Sequence, residues 1–166
     1  MLGAIPRGAA GTPAQGRTPP ATPGGETATA TAARPPAAAG NTGYDGALGL
    51  LQAGRWAEAE QAFRGFIDKM PEDPRASSAA FWLGETYFFR KDYPNAAATF
   101  ARNYRTYGPE AQKAPDNLLK LGMSLAAMGD KTKACQTFGE LAKRHPTAPA
   151  PVRQTLARER SAAACA

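Results

Sequence analysis

From Tyr44 onward the apolar positions fall three or four residues apart, and the whole pattern then recurs along the chain. Three segments align: YDGALGLLQAGRWAEAEQAFRGFIDKMP, FWLGETYFFRKDYPNAAATFARNYRTYG and LLKLGMSLAAMGDKTKACQTFGELAKRHP. Small residues coincide at Ala47, Gly84 and Gly122, and again at Ala59, Ala96 and Ala134. Larger ones coincide at Leu50, Tyr87 and Leu125 and at Phe63, Phe100 and Phe138; the copies close on Pro71, Gly108 and Pro146. Successive copies stand 37 and then 38 residues apart.

Each copy predicts two helices, A and B, that approach closely at the small positions, with the phenylalanine filling the space beside them. Gly54 and Gly129 suit the C-terminal end of helix A, where a left-handed residue is commonly required. Lys91-Asp92 stands there in the middle copy and is expected to lengthen or tighten that turn. Pro71, Pro109 and Pro146 stop the B helices, and Asp73-Pro74 and Ala114-Pro115 are expected to open the next A helices with proline in the first turn. The predicted helices cover about 44–53, 56–70, 74–90, 94–107, 115–128, 131–145 and 150–163. The seventh has no partner, as expected of a helix that covers the last apolar surface of a stack. The unit resembles the tetratricopeptide repeat, whose period is roughly 34 residues. The expectation is an all-α, right-handed superhelix of three helix-turn-helix repeats plus a C-terminal capping helix, with a groove lined by the A helices.

Residues 1–43 read differently. They contain no aromatic residue and consist largely of Ala, Thr, Gly and Pro, too little bulky apolar surface to offset the entropy of ordering a backbone. They are expected to form a disordered linker, leaving 44–166 as the folded domain. The formal charge of +6 is mild, with lysines and arginines scattered among carboxylates rather than gathered into a basic stripe. That argues against nucleic-acid binding. No apolar run reaches the roughly 20 residues a membrane helix needs.

Little in the sequence points to catalysis, a metal or a cofactor. The one histidine, His145, precedes a repeat-ending proline, as Met70 and Tyr107 do near theirs, and reads as structural. The carboxylates Glu58, Glu60, Glu85, Asp92, Asp130 and Glu140 show no paired arrangement, and no metal-ligand spacing or phosphate-cradling loop occurs. The expectation is a protein-binding module and not an enzyme. Cys135 near the start of the last B helix and Cys165 after the capping helix either pair or stay free. Two ideal antiparallel helices would leave them about 7 Å out of step, too far for a disulfide unless the tail SAAACA folds back.

The stretches Phe81-Trp82-Leu83-Gly84-Glu85-Thr86-Tyr87-Phe88 and Lys113-Ala114-Pro115-Asp116-Asn117-Leu118-Leu119-Lys120-Leu121-Gly122 are similar to the Y-W-L-G-E-x-Y-Y and K-A-P-D-A-x-L-K-L-G segments of one family. That family is the Tol-Pal cell-division coordinators (CpoB, formerly YbgF), and the resemblance spans about 44–160. It implies a periplasmic adaptor that associates with TolA and with a bifunctional penicillin-binding peptidoglycan synthase, and couples septal wall synthesis to outer-membrane constriction. The family's signal peptide and N-terminal trimerising coiled coil have no counterpart here. A truncated or mis-started N-terminus is therefore expected, and with it a monomer. A disulfide between Cys135 and Cys165 would suit an oxidising compartment.

Repeat numbering puts the candidate partner-binding groove at Tyr44, Leu48, Leu51 and Gln52 from the first copy. Phe81, Glu85, Phe88 and Phe89 come from the second, and Leu119, Met123 and Ala127 from the third. An apolar, aromatic groove suits an amphipathic or extended peptide; Trp82 is expected in the core. The Lys, Asn and Arg clamp of cytosolic chaperone adaptors is absent, since Tyr44, Leu48, Phe81, Glu85, Leu119 and Met123 fill those slots. An outer-membrane assembly lipoprotein would need a lipidated cysteine near its N-terminus, which neither cysteine provides. The broader alternative is a generic tetratricopeptide scaffold in envelope assembly or the cytosol.

Overall fold

A computed structural model of the chain describes residues 43–165; the expected linker, apart from Gly43, lies outside them. Seven helices follow one another: α1 Tyr44–Gln52, α2 Trp56–Lys69, α3 Ala76–Phe89, α4 Tyr93–Tyr107, α5 Ala114–Ala127, α6 Lys131–Arg144 and α7 Ala150–Ala162. The described residues contain no strand.

Each helix packs on the next, forming the pairs α1–α2, α3–α4 and α5–α6. Beyond these pairs α1 touches α3, α3 touches α5 and α5 touches α7, whereas α2, α4 and α6 do not approach one another. The A helices are therefore the closer-spaced layer, and a stack whose two layers differ in spacing curves with that layer inside. This is the expected repeat superhelix.

The small positions act as read from the sequence. Phe63, Phe100 and Phe138 are fully buried, as are Ala47, Ala59, Ala96 and Ala134. A methyl group built on Gly84 would stand 2.4 Å from Cε1 of Phe100, and one on Gly122 2.3 Å from Cε1 of Phe138. Glycine is there because the ring of the partnering B helix occupies the space a Cβ would take.

Two expectations about turns are corrected. The middle A–B turn is neither longer nor tighter than the others. Lys91 adopts φ +61°, the left-handed conformation that Gly54 (+70°) and Gly129 (+85°) take in the other copies. The same closing bond forms in all three, from Arg55 N–H to Leu50 O, Asp92 N–H to Tyr87 O and Asp130 N–H to Leu125 O. Proline opens α5 but not α3: Pro74 precedes the helix, which starts at Ala76. There Asp73 accepts hydrogen bonds from the Arg75 backbone N–H (2.8 Å) and guanidinium, fixing a turn before the helix can begin.

At the C-terminal end Cys135 and Cys165 form a disulfide with their Cα atoms 5.3 Å apart. The tail does fold back: α7 ends at Ala162 and Ala164 takes φ +55°. Val152, Leu156 and Ala163 of the cap bury into the core cluster that contains Phe138 and Leu141.

Candidate protein-binding face

The inner face is built from α1, α3 and α5, and the candidate residues sort into three groups on it. Gln52, Phe89 and Ala127 are exposed, and Tyr44, Leu48, Phe88 and Met123 are half-buried. Leu51, Phe81, Glu85 and Leu119 are buried. The last four belong to the packing of the array itself: Leu51 and Phe81 sit in the first core cluster, Leu119 in the second, and Glu85 faces Lys120 of the next repeat.

Phe81 illustrates the difference. Only 4% exposed, it packs against Phe100 with ring centres 5.8 Å apart and carries the Lys113 ammonium 5.1 Å above its ring. Trp82, expected in the core, is half-buried, and its indole N–H donates to the Tyr44 hydroxyl at 3.1 Å across the first repeat junction. The Arg75 guanidinium lies 5.7 Å over the Tyr44 ring. Phe89, by contrast, is 53% exposed and stacks on Trp56 of α2 with centres 5.1 Å apart.

The junction of the second and third repeats is electrostatic. Glu85, 5% exposed, accepts from the Lys120 ammonium at 2.9 Å, and that ammonium also lies 4.6 Å over the Phe88 ring. Burial raises the Glu85 pKa above its ordinary value, and Lys120 opposes the rise without cancelling it. The pair therefore ties α3 to α5 at a desolvation cost. The inner face is thus less apolar than its residue names suggest: Arg75, Lys113 and Lys120 each cover an aromatic ring.

Sequence reasoning missed a buried amide cluster in the same region. The Asn103 amide donates to Asn117 Oδ1 (2.9 Å) and to the Ser77 carbonyl (3.2 Å), and the Asn117 amide donates to the Lys113 carbonyl at 2.7 Å. These bonds tie α4 to α3 and α5. The signal was available, because Asn103 aligns with Phe66 and Leu141, both buried apolar residues of the other copies. His145 is structural in the sense expected: it caps α6, and its Nε2 lies 3.3 Å from the Tyr104 hydroxyl.

Two family models, each described as a tetratricopeptide repeat, match residues 44–111 and 116–148. The chain is a tetratricopeptide repeat protein. No curated protein matches it. Tetratricopeptide arrays are scaffolds for protein–protein interaction, and the described geometry accords with that role. Among the described residues no three His, Cys, Asp or Glu side chains gather as metal ligands. None of the described helices is long and apolar enough to cross a membrane.

Proposed function

We propose that this tetratricopeptide array is a periplasmic adaptor of the Tol-Pal system that coordinates peptidoglycan synthesis with outer-membrane constriction during cell division. Its partners are a TolA periplasmic domain and a penicillin-binding peptidoglycan synthase, held on the inner face. One observation carries the reading. The two stretches that resemble the coordinator family, 81–88 and 113–122, meet in space, through Glu85 with Lys120 and through Lys113 over Phe81 and Trp82. The residues of the two stretches that meet, Phe81, Trp82 and Glu85 with Lys113 and Lys120, thus form one junction between α3 and α5 and not two scattered helices.

The Cys135–Cys165 disulfide supports the compartment, because structural disulfides persist in oxidising spaces such as the periplasm. Cell fractionation tests this half of the proposal: the protein should appear in the periplasmic fraction with its cysteines paired, and recovery in the cytoplasm with two free thiols would overturn it. A plainer reading, a tetratricopeptide scaffold for other partners, is favoured by the fact that the matching family models describe the repeat alone. Co-purification of TolA and the synthase with the tagged full chain distinguishes the two.

A further inference from the structure

The outer side of the array carries a cleft that the inner-face reading does not use. It lies between the B helices α2 and α4, is floored by Ala80 and Leu83 of α3, and has a volume of about 250 Å³. The repeat supplies its own comparison, since the corresponding space exists between α4 and α6. There Tyr104 fills it: its ring meets His145 edge-on with centres 6.0 Å apart and packs on the core cluster of the third repeat. In the first junction the residues aligned with Tyr104 and His145 are Ile67 and Tyr107, and the smaller Ile67 leaves the space open.

The polar groups differ in the same place. Glu140 of the third copy is paired by Arg144; its counterpart in the second copy, Arg102, is exposed and makes no ion pair among the described residues. The counterpart of fully buried Leu141 is Asn103, 3% exposed, whose Oδ1 has no hydrogen-bond partner. Arg64, on the opposite wall, is already committed to Glu60 at 3.1 Å and to the Tyr87 hydroxyl. Asp68 on that wall carries the one opposing charge in the cleft. Because α2 and α4 are parallel and 37 residues out of step, Arg64 lies level with position 101 and Asp68 with position 105. The positive end of the cleft is therefore at Arg102 and the negative end is toward Thr106.

We propose that this cleft binds the C-terminal aromatic residue of a partner protein. The ring takes the volume that Tyr104 takes in the next junction, against Ile67, Ala80 and Leu83. The terminal carboxylate pairs with the free guanidinium of Arg102, and the backbone N–H of the same residue has Asn103 Oδ1 or the Asp68 carboxylate to donate to. Charge, volume and an unpartnered acceptor coincide at one junction and not at its copy.

The test is NMR titration of the ¹⁵N-labelled full chain with acetyl-Ala-Ala-Phe bearing a free carboxylate, with its C-terminal amide, and with phenylacetate. The expected result is saturable shifts at Thr99, Arg102 and Asn103 with the free acid, at least tenfold weaker binding of the amide, and tenfold weaker binding by Arg102→Gln. Ile67→Tyr, which copies the filled junction, should abolish binding; should that variant misfold by circular dichroism, surface-exposed Arg102→Gln still decides. No saturable shift at these amides, or equal binding of acid and amide, overturns the site. Phenylacetate binding as tightly as the peptide overturns its assignment to a protein terminus.

Discussion

Replacing Gly84 with alanine isolates the contact on which the repeat packing rests. In an open stretch of helix the change is stabilising by about 1 kcal/mol, because glycine is a poor helix former. At Gly84 the added methyl would sit 2.4 Å from Cε1, 2.7 Å from Cδ1 and 2.8 Å from Cζ of Phe100. That ring is fully buried and lies against Phe81, so it has to move by more than an ångström in a space with no slack. Overpacking of this kind costs about 1–3 kcal/mol, and so close an approach belongs at the upper end. The expected net loss is therefore about 2 kcal/mol. Gly65 and Gly139 are the controls: each lies within a helix, and a methyl on either meets nothing within 4 Å. Urea unfolding followed by circular dichroism should show Gly84→Ala destabilised and both controls stabilised by about 0.5–1 kcal/mol. Combining Gly84→Ala with Phe100→Leu should recover part of the loss, a coupling that independent sites would not show. If Gly84→Ala is stabilising like Gly65→Ala, the close approach of α3 and α4 is not as described and the reasoning fails.

Three further outcomes follow from the same contacts. Cys135 and Cys165 close a loop of sequence separation 30, so reducing the pair or replacing both with alanine should cost about 3.6 kcal/mol by chain entropy, read as a lower urea midpoint. Burial raises the Glu85 pKa above its ordinary value near 4.5, so the folded protein binds this proton more readily than the unfolded chain does. Glu85 thus opposes folding at neutral pH, and its contribution improves as pH falls through the raised value toward 4.5. Glu85→Gln should accordingly flatten the stability profile between pH 4.5 and 7, and an unchanged profile would place the titration elsewhere. Lys120→Met strands the buried carboxylate and should destabilise by about 3–5 kcal/mol at pH 7, a loss largely absent when Glu85 is already Gln.

The fold was legible because its signals were redundant. Gly84 and Phe100, Gly122 and Phe138, and Ala59, Ala96 and Ala134 all state the same close approach, and the structure places each pair in contact or in the core. Helix ends were read to within one residue except at Pro74, two residues before the observed start at Ala76, and that miss has a local reason: the Asp73–Arg75 turn outcompetes proline as a helix start. Lys91 shows why the middle turn was misjudged. A lysine can occupy a left-handed position at modest strain when the closing hydrogen bond of the turn is kept.

The inner face was legible only in outline. Repeat numbering says which residues lie on the A helices, but not how closely the next A helix covers them; that depends on side chains more than thirty residues away. Glu85 lies buried against Lys120 and Phe81 beneath Lys113, both from the next A helix, while Phe89 stays open beside Trp56. The cations covering the aromatic rings, Lys113 and Lys120 among them, equally depend on tertiary placement. The disulfide lay between: the residues were evident, but closing the gap needed the backward turn at Ala164.

Calorimetric titration of the full chain with the periplasmic part of TolA from the same organism tests the central claim most directly, run beside a Phe89→Ala, Met123→Ala double variant. Micromolar or tighter binding, weakened at least tenfold in a variant that keeps its helicity, is the predicted result. No binding by the well-folded chain would contradict the Tol-Pal assignment, and binding that the double variant leaves unchanged would contradict the inner face as the docking surface.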